Sequence, residues 1–421
     1  MYYNIQNLML NWIKSLTLII VCTLSFQEIF AQNSSTNTAT ILGADQDRRV
    51  ITTGVPFLLI TPDARSGGMG DVGVAISPDA NAVHWNSAKL AFLENDLGVS
   101  FSYTPWLAKV INDMSISYLS IYKKINREQA LALSMRYFDL GDIQLTDGSG
   151  NPLQLVSPRE FSIAGTFSMR LTEDLSAGLT GRFIHSNLLA GASSSSSFND
   201  VKPGISGAAD IGLYYTKDFI FNGNDANLSL GANLSNVGAK ITYLNEDNAD
   251  FLPTNLRLGS AFTTHLDPYN KITLALDFNK LMVPTPPIYE LDSGRIVTDG
   301  NGNPVILSGK DPSRGLMQGM FGSFTDAPEG FKEEMQEVMI SFGAEYWYNE
   351  LFAVRAGYFY EHNNKGGRRY FTAGLGLRYQ VFGVDFAYLL AQGQNNPLAE
   401  TLRISLGFNL NTERQESVTE E

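Results

Sequence analysis

The stretch Leu402-Arg403-Ile404-Ser405-Leu406-Gly407-Phe408-Asn409-Leu410 alternates between apolar and polar residues without a break. Successive side chains of an extended backbone point to opposite sides. Leu402, Ile404, Leu406, Phe408 and Leu410 therefore share one face, and Arg403, Ser405, Gly407 and Asn409 share the other. In a soluble sandwich the apolar face would meet a core, whereas in a membrane barrel it meets lipid and the polar face lines the lumen. Alternation alone does not choose between them, but number and length do. Similar stretches begin near Asp96, Asp113, Gln129, Glu160, Asp174, Gly207, Ala226, Asn255, Lys271, Glu337, Glu350, Arg369, Val381 and Thr401, fourteen in all. The number is even, as in single-chain bacterial barrels. Most run nine to twelve residues, against about five or six for strands of soluble proteins, and tilted strands of that length cross a hydrocarbon core. The fold class expected is all-β, a transmembrane antiparallel β-barrel of about 14 strands.

The faces are consistent from strand to strand. Phe161, Ile163, Phe167, Met169 and Leu171 alternate with Ser162, Ala164, Thr166, Ser168 and Arg170. The polar face carries charge in mid-strand at Arg136, Arg170, Arg182, Asp210, Arg257, Asp277, Glu345, Arg355, Arg378, Asp385 and Arg403. A charge facing lipid at the midplane costs a few kcal/mol, so these side chains must face inward, and the mixture of signs predicts paired lumenal networks. Links after even-numbered strands are short, such as Asn126-Arg127 and Asn349-Glu350, and those after odd-numbered strands are mostly long. Barrels have short periplasmic turns and long extracellular loops, so both chain ends are expected in the periplasm. Tyr346, Trp347, Tyr348, Tyr358 and Tyr360 at strand ends suit an interfacial aromatic girdle.

The chain has 421 residues, 44% hydrophobic and 17% charged, with a formal charge of −13. This excludes global disorder and disfavours nucleic acid as a partner. The beginning of the sequence differs in character. Lys14 precedes an apolar core from Leu16 to Phe26, followed by Ile29-Phe30-Ala31-Gln32, the layout of a signal peptide over residues 1–31 cleaved after Ala31. That core is far shorter than the roughly 20 residues of a spanning helix. Cys22, the only cysteine, lies within it and lacks the small preceding residue of a lipoprotein signal. Cleavage would leave a mature chain without disulfides or thiol chemistry.

Residues 32–94 carry no strand pattern. They include Pro56-Phe57-Leu58-Leu59-Ile60-Thr61-Pro62-Asp63-Ala64-Arg65-Ser66-Gly67-Gly68-Met69-Gly70-Asp71 and His84-Trp85-Asn86. An apolar, glycine-rich prefix entering a barrel from the periplasmic side reads as an N-terminal plug inside the lumen, its glycines letting the backbone pass close to the wall. Ala64 to Gly73, with Asp79-Ala80, Trp85-Asn86 and Lys89-Leu90-Ala91, resembles the hatch signature of FadL-like barrels. Pro56 to Asp71, His84 to Asn86, the phrase Ser323-Phe324-Thr325-Asp326-Ala327-Pro328-Glu329-Gly330, the strand Ser341 to Asn349 and Arg355 to Phe359 more specifically resemble the PorV/PorQ family of the type IX secretion system. The resemblance covers essentially the mature chain. It implies an adaptor in the cell outer membrane that associates with a very large outer-membrane translocon barrel. Such an adaptor receives cargo proteins bearing a C-terminal secretion signal and passes them to the surface-attachment machinery. It implies no catalytic residue and no cofactor, and its hatch positions here are Phe57, Leu58, Leu59, Ile60, Asp63, Arg65, Trp85 and Asn86. The alternative is a FadL-like transporter of hydrophobic small molecules.

The barrel proper is expected over residues 95–410, with a long extracellular loop at about 280–336 and an acidic tail over 411–421. Met317, Met320, Phe321 and Phe324 in that loop are candidates for contact with partner or cargo, since Met suits adaptable surfaces, or for a lid over the mouth. Phe331 to Val338 reads as a short helix. Asp147-Gly148-Ser149-Gly150-Asn151-Pro152 and Asp299-Gly300-Asn301-Gly302-Asn303-Pro304 have calcium-loop-like oxygens but no glycine at the sixth position, so tight turns are expected. His84, His185, His265 and His362 have no metal-ligand spacing. His185 beside Ser186 is the sole faint hint of a hydrolase, and the Ser193 to Ser197 run reads as a flexible loop.

Overall fold

The computed structural model describes residues 49–108, 113–190, 201–243, 249–292, 295–391, 398 and 401–411. The leader with Cys22, the Ser193 to Ser197 run and the tail beyond Asn411 lie outside them.

The strands are β1 Leu97–Pro105, β2 Ser115–Lys124, β3 Gln129–Asp139, β4 Arg159–Arg170, β5 Leu175–Asn187, β6 Gly204–Phe221 and β7 Asn224–Gly238. They continue with β8 Asn255–His265, β9 Asn270–Leu281, β10 Met339–Tyr348, β11 Phe352–Tyr360, β12 Arg369–Tyr379, β13 Phe382–Ala391 and β14 Leu402–Leu410. Each pairs antiparallel with its sequence neighbours, and β14 closes the ring on β1 through pairs such as Phe101↔Leu406 and Tyr103↔Ile404. The result is a closed 14-strand antiparallel barrel. The starts expected from alternation lie within three residues of these strands.

The two faces are the reverse of a soluble protein's. On β3, Leu131, Leu133 and Met135 are exposed while Ser134 and Arg136 are buried. On β14, Leu402, Leu406 and Phe408 are exposed while Arg403 and Ser405 are buried. A wall of leucine, isoleucine and phenylalanine this continuous is stable only against lipid. No helix of the described residues is long and apolar enough to cross a membrane, so the strands make the crossing. Trp347 departs from the expected girdle. Tyr346 and Tyr348 face outward, but Trp347 between them is buried in the lumen near Arg355 and Arg378, because the period of two sends it there.

The short links, 125–128, 171–174, 222–223, 266–269, 349–351 and 380–381, all lie at one end of the barrel, and the longer ones lie at the other. Asn222 and Gly223, at φ 50° and 84°, form the two-residue turn whose twist matches a hairpin. The long link after β9 is itself folded. It carries the hairpin pairs Ile288↔Ser308 and Leu291↔Ile296 and two short helices, Leu316–Gly322 and Phe331–Gln336. The repeated Asp-Gly phrases are tight turns: Asp147 accepts from the Ser149 and Asn151 amides, and Asp299 from those of Asn301 and Asn303.

Residues 61–76 and 80–91 are all buried, and they pack on inward-facing wall residues. The segment's direction differs from the expected one. Arg49 bonds to Glu329 and Glu333 in the link after β9, and the Gly54 amide to Phe251 O in the link after β7. Ser87–Phe92 instead packs near the short-turn end on Ser168, Ser176 and Gly178. The described chain thus enters the lumen at the long-loop end and runs down to β1, while Leu410 ends at the short-turn end. Period-two reading fixes where strands start and turn but says nothing of a segment that is not a strand. The terminal residues themselves lie outside the described residues.

Two outcomes are expected. Leu133→Arg, on the lipid face in mid-strand, should destabilise the barrel by roughly 2–4 kcal/mol, read as a lowered denaturant midpoint in lipid vesicles. Val50→Cys, exposed at the long-loop end, should react with a membrane-impermeant maleimide on intact cells. Labelling only after lysis would reverse that assignment.

Candidate functional site

Asp63 organises the upper part of the lumenal segment. Its Oδ2 accepts from the Ser66 amide at 2.8 Å, capping the helix Ala64–Gly67, and its Oδ1 accepts from Trp85 Nε1 at 2.7 Å. Burial raises its pKa, and the Asp79 charge adds to the shift, while these hydrogen bonds oppose it. The cap aims Arg65 at the wall, where it donates to Glu345 at 2.9 and 3.0 Å and to Asp79 at 3.1 Å. Glu345 on β10 also accepts from Arg355 on β11 at 2.7 Å. Arg355 reaches Asp385 on β13 at 2.7 Å, and Asp385 accepts from Arg378 on β12, also at 2.7 Å. Segment and four strands are thereby joined by one chain of alternating charge, the paired network expected of the inward residues.

Asp71 extends the fastening, accepting from Tyr370 at 2.5 Å and pairing with Arg403 at 3.3 Å. Asn86 holds the lower turn: its Nδ2 donates to Leu213 O at 2.9 Å and its Oδ1 accepts from the Ala88 amide at 3.1 Å. Lys89 is fully buried and donates to Gly73 O at 2.7 Å, and burial pushes its pKa down to about 8. The wall is thinned where the segment touches it. A Cβ on Gly357 would lie 2.0 Å from the Gly70 nitrogen, and one on Gly343 2.5 Å from Met69 O. Gly70 itself sits at φ 71°, a backbone state that glycine reaches without strain.

Phe57 and Leu58 are buried, Leu59 and Ile60 half-buried, and the Phe57 ring stacks on Phe138. Above them lies a cavity of about 560 Å³ in the long-loop half of the lumen, walled by Phe57, Trp106, Phe138, Met339, Phe359 and Leu389 with Arg257 and Arg368 among its polar groups. Its upper edge is a charged clasp. Glu333, on the helix Phe331–Gln336, accepts from Arg49 at 2.8 Å and from Lys365 at 2.6 Å. Glu337 accepts from Lys365 at 2.9 Å and Lys280 at 2.5 Å. Burial pushes the Glu333 carboxyl up, but the bonds from Arg49 and Lys365 outweigh it and hold its pKa at about 2. Long loop, strand ends and lumenal segment are tied together at this point, which no sequence spacing reveals because the partners lie 284 and 32 residues apart.

The loop candidates divide. Met317, Phe321 and Phe324 are exposed, joined by Phe331 and Met335, whereas Met320 is buried within the loop. His185 and Ser186 do not form a dyad. Neighbours on a strand face opposite sides, so Ser186 turns inward and donates to Glu160 at 2.6 Å, while His185 stacks on Phe161. His84 is buried beside Arg136, and burial, with the charge of that guanidinium, keeps its imidazole neutral.

A barrel with this lumenal segment matches the model of the family described as type IX secretion system protein PorV over residues 43–288. The chain belongs to the PorV family. PorV-family barrels are secretion components of the outer membrane, and that membrane is the place of this one. No curated protein sequence matches the chain. Among solved structures it is similar to the Pseudomonas putida toluene transporter TodX at 12% identity, over 82% of this chain and 97% of that one, with a TM-score of 0.47. It is also similar to a Pseudomonas aeruginosa FadL homologue at 10% identity, over 86% and 100%, with a TM-score of 0.41. At such distances nothing about binding follows from either.

The clasp has a pH dependence whose sign is fixed. Glu333 has a lower pKa in the fold than the ordinary 4.5, so its contribution is complete above 4.5 and disappears as pH falls toward 2. Protection factors of amides in residues 316–336, corrected for the intrinsic pH dependence of exchange, should fall over that window, and those of Glu333→Gln should be low at pH 6 already. Equal exchange of both proteins at pH 6 would show the clasp to be idle.

Proposed function

We propose that this PorV-family barrel acts as a docking adaptor, in which the lumenal segment is a plug and the long-loop face is the surface that receives secreted protein. The observation that carries this reading is the Arg65–Glu345–Arg355–Asp385 chain. It fixes the segment across the lumen with buried charges on both sides, and removing one partner of such a pair strands a buried charge at a cost of about 3–5 kcal/mol. A barrel filled in this way offers surfaces and no open channel. Phe57, Leu58, Leu59, Ile60, Asp63, Arg65, Trp85 and Asn86 are the plug residues. Met317, Phe321 and Phe324, exposed on a folded and clasped loop, are the contacts offered to the translocon or to cargo carrying a C-terminal signal, and Met320 supports them from within. The surface-attachment machinery would take cargo from the same face. No step of this role calls for an enzyme or a cofactor.

The alternative reading, transport of a hydrophobic small molecule, is favoured by one observation, the largely apolar cavity of about 560 Å³, a size suited to a small ligand. The two readings separate cleanly. Capture of the barrel from membranes in mild detergent should bring down a very large barrel and signal-bearing cargo, and deletion of the gene should abolish surface display of that cargo. Normal display with impaired uptake of an apolar nutrient would sink the adaptor reading and favour transport.

A further inference from the structure

A second, much smaller cavity lies deep in the lumen, where the segment meets strands β2 to β5. It measures about 10 Å³ and is lined by Leu58, Val83 and His84 of the segment and by Tyr118, Ser134, Arg136, Ser162 and Arg182 of the wall. There is room for a single water-sized particle.

Every polar side chain around it can donate a hydrogen bond. No carboxylate lines it. Arg136 is buried, 4% exposed, and its hydrogen bonds go to neutral acceptors: Phe57 O at 2.9 Å, Leu58 O at 2.8 Å and His84 Nδ1 at 2.9 Å. A ring nitrogen that accepts from a guanidinium is unprotonated, so the proton of the neutral imidazole sits on Nε2. His84 Nε2 is then a buried donor, and it has no hydrogen-bond partner. Tyr118 Oη, 3% exposed as a residue, lies beside the Ser134 hydroxyl, from which it can accept, and its own O–H finds no acceptor. Arg182 is different, since Asp210 at 2.6 Å balances its charge.

Unpartnered buried donors and a buried cation with no carboxylate bonded to it are both costly, and they meet at one cavity. A water molecule would satisfy the donors but leave the Arg136 charge unanswered. A monoatomic anion would satisfy both. We propose that this cavity is a halide site, occupied by chloride, held by His84 Nε2–H and Tyr118 Oη–H and neutralising Arg136. Because His84 belongs to the segment and Tyr118 and Arg136 to the wall, the ion cements the segment into the barrel. The site stands independently of the adaptor reading.

The test uses the full chain purified in detergent. Crystals grown with bromide in place of chloride should give an anomalous peak between Tyr118 Oη and His84 Nε2. Exchanging chloride for gluconate, which is too large to enter, at equal ionic strength should lower the melting temperature by roughly 1–3 °C. Tyr118→Phe removes one ligand and keeps the packing, so it should raise the chloride concentration needed for half of that stabilisation about tenfold. Arg136→Gln should abolish the chloride dependence, and if that variant fails to fold, Tyr118→Phe still decides. Absence of the bromide peak, or identical melting of the unaltered chain in both salts, overturns the proposal.

Discussion

A strand in lipid has no water to satisfy its amides and carbonyls, so every backbone group must find its partner in the next strand, and the last strand must find the first. The pairing of β14 with β1 meets that constraint and the rest of the architecture follows from it. Closure fixes an inside and an outside. The period of two then assigns each residue to lipid or lumen, and the short turns and long loops sort themselves to opposite ends.

Closure also creates a difficulty inside. A ring of this many strands encloses more space than its own inward side chains fill, and those side chains include arginines, aspartates and glutamates. The N-terminal segment resolves both problems together. Its apolar residues, among them Met69, Val72, Ile76 and Leu90, fill space; its Asp71 pairs with the wall's Arg403, and its Arg65 joins Glu345, which Arg355 also holds. Wall glycines at positions 343 and 357 concede the room it needs. Segment and barrel are one packed unit in which each supplies what the other lacks. The clasp of Glu333 and Glu337 with Arg49, Lys280 and Lys365 carries that unit up into the long loop, so the long-loop face is joined by buried ion pairs to the lumen.

The strands were legible because alternation is a local signal: each residue's side is set by its neighbours, and the cost of misplacing a charge is large enough to forbid exceptions. The same logic takes Trp347 out of the girdle. Its position near a strand end suggested the interface, but its parity placed it in the lumen. The division of the loop candidates was not legible, because nothing in the order Leu316-Met317-Gln318-Gly319-Met320-Phe321 tells which side of a short helix meets the rest of the loop. Nor was the direction of the lumenal segment, since a buried irregular chain carries no period from which orientation could be read.

By itself the sequence determined the fold class, the strand count, the sidedness of the mid-strand charges and the family phrases, because each is written in neighbouring residues. Tertiary structure alone decided which arginine meets which carboxylate, at which end Arg49 enters, and where cavities remain. The contacts that tie segment to wall join residues hundreds of positions apart, as in Arg65 with Glu345 and Arg403 with Asp71. They exist only after closure has brought the strands around the segment.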